Sequence, residues 1–440
     1  MSQWHTIEPQ RAPSAATGIG GSVFAILAGL YIGLSLLKFG NPAILDHLIP
    51  VPGSALEVVF QSWPLRWSHI MLAGLVMVGL LTARWTLPRP RWLAFLPLVW
   101  LAWQWIAATQ TIDPRLTRVT LIHFHAVLAG FYLGLFALAP VRRIGLFWGG
   151  VAFGFALMVW TGFEQRLGGL EATRQFVYSQ PGWENLPAEH LKRLGSDRIF
   201  ATLLYPNTLA GVLILLLPPL LVVTWRRATW LSPAARGVIA GLFAVCGLAC
   251  LYWSGSKAGW LIALVMLVVV LLRAPFEKRW RAAIIIGLVS LGVAVFFVRF
   301  SGYFQKGATS VSARAEYWRA AWKTFADRPV FGSGPGTFAV AYRQIKPPEA
   351  EMARLTHNDY LEQASDSGFV GLATYGTFVI GLALLLYRRC GADRMRFAVW
   401  LGVFGWVLQS GVEFGLYIPA LGGTAFWLLG WLWGASEEGN

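Results

Sequence analysis

The segment Thr356-His357-Asn358-Asp359-Tyr360-Leu361 contains the residue types that could accept a proton beside an anion. Thr356 followed three residues later by Asp359 is typical of a capping box, which predicts that a helix begins here with His357 as its first residue. The partial positive charge of a helix N-terminus disfavours imidazolium, so His357 should be neutral and able to accept a proton. The free N–H groups of the same turn can bind an anion. The alternative is a histidine that only caps or packs.

Two other segments supply cations that could hold such an anion. Arg198 precedes Tyr205-Pro206-Asn207, where the proline is expected to loosen the first turns of an apolar helix and to free the asparagine to reach into a cavity. Ser254–Trp260 is predicted to be a short hairpin that brings Lys257 to the depth of Arg198. An arginine at a membrane border can equally bind lipid phosphates.

A polar insert supplies a third cation, Arg314, in the first turn of a predicted helix that Ser312 could cap. Arg319 and Lys323 form a basic stripe on that helix. A second, apolar face is expected to lie against the membrane domain or its interface and consists of Trp318, Trp322 and Phe325. The segment Gly332–Gly336 should end the helix in a tight, exposed turn. A phosphate-binding loop is less favoured, because the Lys-Ser/Thr that should follow is absent.

Glu413 is an acidic residue between two apolar helices, where a charge is expensive unless it is paired. The expected partner is one of three cations: Arg198, Lys257 or Arg314. Metal-dependent chemistry and cofactors are not indicated, since the HExxH, CxxC and Asp-x-Asp patterns are absent. His123 and His125 lie two residues apart in one helix and therefore point in different directions, which argues against a shared metal.

The composition explains how these residues are positioned. Hydrophobic residues make up 56% of the 440-residue chain, in blocks of about 20 that could span a bilayer. We therefore predict an all-α integral membrane protein with about twelve transmembrane helices. The predicted spans are Gly18–Leu37, Trp67–Thr82, Trp92–Ala108, Thr120–Ala139, Ile144–Phe163, Phe200–Val223, Gly237–Tyr252, Ala258–Leu272, Ala282–Val298, Gly368–Leu386, Phe397–Ser410 and Phe414–Trp433.

These spans divide the chain into three parts. Residues 1–298 hold helices one to nine and a smaller polar loop at 164–198, residues 299–366 form the large insert, and residues 367–440 hold helices ten to twelve. Lysine and arginine are concentrated in the connections on one side, which the positive-inside rule assigns to the cytoplasm together with both termini. Both polar loops then lie outside the cytoplasm.

The formal net charge is +15. Much of it is explained by positive-inside anchoring beside anionic lipid headgroups, so the membrane lipids, and not nucleic acid, are the expected polyanionic partner. The outer loops are basic as well. A basic cavity on that side suits a phosphorylated substrate.

Five short motifs, in order along the chain from about Arg198 to Ala420, resemble the O-antigen ligase and polymerase superfamily. They are Arg198-x-Phe200 with Pro206-Asn207-Thr208, the hairpin Ser254–Trp260, Ser312-Ala313-Arg314 with Trp318, Pro329–Phe338, and Thr356–Leu361.

The resemblance implies a GT-C type glycosyltransferase of the bacterial inner membrane. Such enzymes move a preassembled glycan from undecaprenyl diphosphate to an acceptor at the periplasmic face without a metal. Arg198 and Arg314 are implied to hold the diphosphate, and His357 to be the essential group near the acceptor hydroxyl. Lys257 stands where the family often has arginine, which can donate two parallel hydrogen bonds, and Glu413 where it commonly has aspartate. Other expected substrate-binding residues are Tyr205, Asn207, Lys257, Arg319, Asn358, Asp359, Tyr360 and Glu413.

Three acceptors are compatible with this resemblance. Lipid A-core, as for a ligase, is favoured because the histidine motif and the basic insert resemble that branch best. Another repeat unit, as for a polymerase, and a protein hydroxyl, as for an O-oligosaccharyltransferase, are the alternatives. A transporter of polyprenyl-linked glycans is more distant, because the two halves show no evident repeat and the functional residues cluster on one face.

Overall fold

The computed structural model describes residues 16–179, 182–185, 195–305, 309–391 and 393–437, and all regular secondary structure in these residues is helical. The α-helices are α1 (Ala16–Lys38), α2 (Ala55–Phe60), α3 (Leu65–Thr82), α4 (Arg91–Ala108), α5 (Pro114–Leu133), α6 (Gly145–Glu164), α7 (Leu170–Ser179), α8 (Pro206–Arg227), α9 (Pro233–Trp253), α10 (Lys257–Arg273), α11 (Lys278–Gln305), α12 (Thr309–Asp327), α13 (Phe338–Ile345), α14 (Asp359–Arg389), α15 (Arg394–Gln409) and α16 (Thr424–Glu437). Short 3₁₀ turns lie at Ala43–Leu48, Trp183–Asn185 and Gly415–Tyr417, and π turns at Gly134–Leu138, Gln165–Gly169 and Pro419–Gly423.

Among the described residues, eight helices are long and apolar enough to cross a membrane. The chain is therefore an all-helical, multi-pass membrane protein, as the composition predicts. The other four predicted spans coincide with α4, α10, α15 and the interrupted segment that ends in α16, so the number of crossings stays a prediction. One predicted boundary is wrong: the span expected from Phe200 begins at Pro206, since proline is favoured at the first position of a helix and Tyr205 precedes it in an extended conformation.

Helices α1 and α6 pack with their backbones in contact. A Cβ atom added to Gly33 would lie 2.4 Å from the carbonyl oxygen of Gly150, and one added to Gly154 would lie 2.3 Å from that of Gly33. Small residues spaced by four positions allow this approach, which is a common way for helices to associate in membranes.

A second group of helices, α8, α9, α10 and α15, packs together. Its polar ends meet at one end of the bundle and consist of the start of α8, the end of α9, the start of α10 and the end of α15. The opposite ends of these helices carry Arg226, Arg236, Arg273 and Arg394. This arrangement agrees with the predicted orientation, which itself stays a prediction.

The large insert contains α12 and α13, which share a small apolar core that includes Tyr317, Ala320 and Tyr342. The boundary predicted at Arg299 falls inside α11, and the part of the smaller loop that covers residues 180–181 and 186–194 lies outside the described residues.

One expectation for α12 is wrong. The helix starts at Thr309, so Ser312 lies within it and is not its cap. Its buried face includes Tyr317, Ala320 and Ala321, whereas Trp322 is 59% exposed, and the expected place of its tryptophans at the membrane interface stays a prediction. Small alanines allow α12 to pack closely against α14, which a face of tryptophans would prevent.

The glycine-rich turn after α12 is buried, and the prediction of an exposed turn is wrong. It fills a break in α14 at Gly368, where φ is +68° and an added Cβ would lie 2.1 Å from the carbonyl oxygen of Val330. The backbone N–H groups of Gly334 and Gly336 donate to Asp366 at 2.9 and 2.6 Å. Because these groups are bonded within the protein, the segment is a structural turn and not a phosphate loop.

Candidate active site

His357 lies immediately before α14 and not in its first turn. Asn358 is the N-cap, since its side-chain oxygen accepts from the backbone N–H groups of Tyr360 and Leu361 at 3.1 and 3.0 Å. The hydroxyl of Thr356 bonds to the backbone of Asn358 instead, so the prediction of Thr356 as the cap is wrong. Threonine and asparagine are both good caps, and their types alone do not decide between them.

The backbone of His357 is strained. Its φ is +54°, a left-handed conformation that costs roughly 1–2 kcal/mol for a residue with a Cβ atom. Ala201 and Leu204, in the segment before α8, also have positive φ values of 52° and 61°. Strain of this kind persists only where the surroundings impose it, and it is concentrated at functional sites.

Glu413 connects the histidine to the cations. Its Oε2 accepts from His357 Nδ1 at 3.0 Å, and its Oε1 accepts from Arg314 and, at 2.6 Å, from Asn207 Nδ2. The predicted ion pair of Glu413 is therefore formed with Arg314. A carboxylate only accepts hydrogen bonds, so Nδ1 carries the proton and Nε2 of a neutral ring is left to accept one. Nε2 makes no hydrogen bond to the described part of the chain.

The charge of Glu413 is maintained by its neighbours. Burial opposes its ionisation, since 6% of the side chain is exposed. His357 and Arg314 beside it, together with Arg198, outweigh burial and hold the pKa of this carboxyl below its ordinary value. Glu413 is therefore ionised near neutral pH and fixes the orientation of the imidazole.

Arg198 joins the same network from the other side. Its Nη2 donates to Asn207 Oδ1 and its Nε to the carbonyl oxygen of Ser254, both at 2.7 Å. Gly255 has φ +59°, and a Cβ added there would lie 3.2 Å from the Arg198 side chain. Burial lowers the pKa of Arg198, Glu413 opposes that effect, and Arg314 adds to it. The turn at Ser254 and Gly255 therefore holds this guanidinium in position.

Lys257 begins α10 at the end of the helix that faces the insert, as predicted. Burial and, to a smaller extent, the positive charges of Arg198, Arg314 and Arg299 together lower its pKa to about 8. Its Nζ lies 5.1 Å from the centroid of the Phe300 ring. Arg299 also belongs to this group of cations, and sequence reasoning missed it. It directly follows a long apolar run, so it was read only as the first residue of the insert.

The contacts of Asp359 and Tyr360 mainly hold neighbouring segments of the protein in place. The backbone N–H of Asp359 donates to the carbonyl oxygen of Ser410 at 2.7 Å, and its Oδ2 accepts from Leu416 N at 3.0 Å. The hydroxyl of Tyr360 donates to a carbonyl oxygen of α15 at 3.0 Å. These bonds hold both ends of the loop that carries Glu413.

Arg319 is not brought to this cluster. It is exposed, and five residues separate it from Arg314, which turns it by about 140° around the helix. The structure thus brings together Arg198, Asn207, Lys257, Arg314, His357 and Glu413 of the predicted site residues.

Aromatic rings surround His357. The Tyr317 ring stacks on the imidazole with centroids 5.9 Å apart, and the Phe414 ring meets it edge-on at 4.7 Å. Tyr205 packs edge-on against Phe414 at 5.5 Å. Burial raises the pKa of Tyr317 to about 12, so its hydroxyl stays protonated. Sequence reasoning missed Tyr317, although it lies three residues after Arg314 and so on the same side of α12.

These rings line a cavity of about 150 Å³ beside His357. A larger cavity of about 530 Å³ lies between α3, α4 and α5, and its lining is almost entirely apolar. Of these two cavities, the smaller one is lined by residues of the predicted site, His357 and Tyr205. Within the described ranges, no cluster of three or more His, Cys, Asp or Glu residues is suited to a metal ion.

Residues 242–376 match the family model described as O-antigen ligase. This segment, about a third of the chain, is similar to O-antigen ligases. The match includes Lys257, Arg314 and His357, whereas Arg198 and Glu413 lie outside it. No curated protein matches the chain. Glu413 is connected to the matched segment by its bonds to Arg314 and His357, and Arg198 by its bond to the carbonyl oxygen of Ser254.

Proposed function

We propose that this protein is an O-antigen ligase-like glycosyltransferase of the bacterial inner membrane. It moves a preassembled glycan from undecaprenyl diphosphate to an acceptor hydroxyl at the periplasmic face, and lipid A-core is the favoured acceptor. The observation that carries the proposal is the network of Glu413, which orients His357 and pairs with Arg314 beside further cations.

The cations suit a diphosphate. Lys257 is acted on by the positive charges of Arg198, Arg299 and Arg314, and Arg198 by those of Arg314 and Glu413. These four cations and the carboxylate of Glu413 leave an excess of three positive charges apart from His357. Arg314 uses Nη2 on Glu413, while its buried Nε has no partner among the described residues. Fixed cations of this kind stabilise the charge that grows on a leaving diphosphate, so the proposed reaction proceeds without a metal.

His357 is the proposed general base. The acceptor oxygen attacks the anomeric carbon of the donor, and a new carbon–oxygen bond forms on one face as the bond to the diphosphate breaks on the other. The hydroxyl proton passes to His357 Nε2, and the lipid diphosphate leaves with the bonding electron pair. One displacement of this type inverts the anomeric configuration. General bases contribute roughly 10²–10⁴-fold to such reactions.

An apolar groove offers a place for the prenyl chain. A cavity of about 150 Å³ lies between α8, α9, α10 and α15, and its lining includes Leu213, Leu251 and Met266. Leu251 lies one helical turn below Ser254, whose carbonyl oxygen binds Arg198. The groove therefore begins within about 10 Å of the cations, at 1.5 Å per helical residue.

Reconstitution into proteoliposomes with a labelled undecaprenyl-diphosphate glycan tests the proposal. Lipid A-core, a second lipid-linked glycan and a serine-rich protein are offered together as acceptors. Label on lipid A-core supports the ligase, label on longer lipid-linked glycan supports a polymerase, and label on protein supports an O-oligosaccharyltransferase. Movement of the donor across the bilayer without transfer would identify a transporter. Activity that is lost in a chelator and restored by a divalent ion would contradict the metal-free reaction.

A further inference from the structure

The cavity beside His357 lies apart from the cations. Its lining includes Tyr205, Tyr317 and Phe414 but none of the four cations or Glu413. His357 belongs both to this lining and, through Nδ1, to the Glu413 network. The imidazole is thus the common boundary between a basic region and an aromatic cavity.

The dimensions and walls of the cavity fit one sugar ring. A cavity of about 150 Å³ is large enough to enclose a single six-membered ring. Flat aromatic walls with a few polar groups at the edge are typical of sites that bind a ring with an apolar face and polar substituents. Two exposed charged residues, Glu351 and Arg354, supply such polar groups at the edge, and the apolar Met352 lies between them.

An extended peptide fits this cavity poorly. Peptides in extended conformation are commonly held by pairing of their backbone with the edge of a β-sheet, and the described part of the chain contains no strand. The short hydroxyl side chains of serine or threonine would also leave the aromatic walls without contacts.

We propose that this cavity is the acceptor subsite and that the acceptor is a glycan whose terminal sugar ring enters it, with the attacking hydroxyl directed at His357. The assignment rests on the proposed transferase function. It selects a sugar hydroxyl over a protein hydroxyl as the acceptor. It also places acceptor and donor diphosphate on different sides of the histidine.

A larger side chain in place of Leu45, which forms part of the cavity wall, tests this assignment. Leu45 lines the cavity, and Leu48 lies one turn further in the same 3₁₀ segment, 51% exposed and outside the cavity. Leu45→Trp should raise the acceptor KM or reduce transfer at least tenfold while the Kd for the labelled lipid-diphosphate donor stays within twofold. Leu48→Trp is the matched control and should retain both values. Met352→Trp fills the cavity from its exposed rim and serves if Leu45→Trp does not fold.

The outcomes separate the two proposals. Unchanged acceptor KM and transfer rate in folded Leu45→Trp and Met352→Trp would overturn the subsite, as would labelling of a serine-rich protein in preference to a glycan by the unaltered protein. A loss of donor affinity equal to the loss of transfer would assign the cavity to the donor glycan and would also overturn it. No transfer by the unaltered protein to any acceptor would refute the proposed function itself.

Discussion

Acidic side chains are buried in two regions of this protein, and their partners differ. Glu413 is bonded to side chains that come from three other segments: Asn207, Arg314 and His357. The other region is one face of α14, where Asp359, Glu362 and Asp366 are fully buried.

The three carboxyl groups of α14 accept hydrogen bonds from backbone N–H groups. Each holds a different segment: Asp359 binds Leu416 in the Glu413 loop, Glu362 binds Thr356 before the histidine at 2.5 Å, and Asp366 binds Gly336 in the glycine-rich turn. The comparison distinguishes two uses of a buried acidic side chain. Glu413, which is bonded to charged and polar side chains, orients the imidazole of His357. The acids of α14, which are bonded to backbone N–H groups, fix the loops of the site.

Replacing the histidine should give the largest effect on activity. We expect His357→Ala to lower kcat for glycan transfer about 10³-fold, because a general base contributes about 10²–10⁴-fold. Donor affinity should change little, since the proposed diphosphate contacts come from the cations. The measurement is transfer by purified protein in proteoliposomes. His125→Ala, a histidine whose Nδ1 bonds to the backbone of its own helix, is the control. An unchanged rate in His357→Ala would remove the general base.

Removing a cation should act on donor binding. We expect Arg314→Ala and Arg198→Ala each to weaken the donor Kd about 10- to 100-fold, because a hydrogen bond to a charged group is worth roughly 1.5–3 kcal/mol. The measurement is binding of the labelled lipid-diphosphate donor in detergent. Arg328→Ala, an exposed arginine after α12, is the control. Normal donor affinity in both site variants would place the diphosphate elsewhere.

The sequence predicts which residues belong to this site better than it predicts which of them are bonded to one another. Multi-pass helical architecture follows from the length and hydrophobicity of the blocks, and a buried Glu413 demands a cationic partner. The choice of Arg314 among three cations is made by packing across 99 residues of chain, which no local periodicity encodes. Tyr317 was missed although its spacing from Arg314 places both on one side of α12, and Arg299 was missed because it follows a long apolar run. The caps failed differently, because Thr356 and Asn358 can both serve and tertiary contacts decide between them.

Substitutions in α14 can test which loop each buried acid holds. We expect Asp359→Ala and Asp366→Ala both to lower the free energy of unfolding by about 1–3 kcal/mol, since each leaves a buried backbone N–H without its acceptor. Asp359 binds the backbone of the Glu413 loop, whereas Asp366 reaches that segment only through the Tyr417 hydroxyl at 3.4 Å. Asp359→Ala should therefore also lower kcat severalfold, and Asp366→Ala should lower it less. Thermal unfolding in detergent and transfer assays measure the two effects. Equal losses of kcat in both variants, after correction for the folded fraction, would contradict the distinction.

The smallest expected effect concerns pH and the lysine at the edge of the cations. Because the pKa of Lys257 is lowered to about 8, the side chain is charged below this pH and becomes neutral above it. Donor affinity should therefore fall as the pH rises through 8, since a cation is lost while the arginines and ionised Glu413 keep their charges. Lys257→Arg should remove this alkaline decline, and Lys257→Met should bind weakly at all pH values without it. The measurement is the donor Kd from pH 6.5 to 9.5. If the alkaline decline in donor affinity persists in Lys257→Arg, a group other than Lys257 causes it. A flat profile in all three proteins would place Lys257 outside the donor site and leave the arginines as the cations that hold the diphosphate.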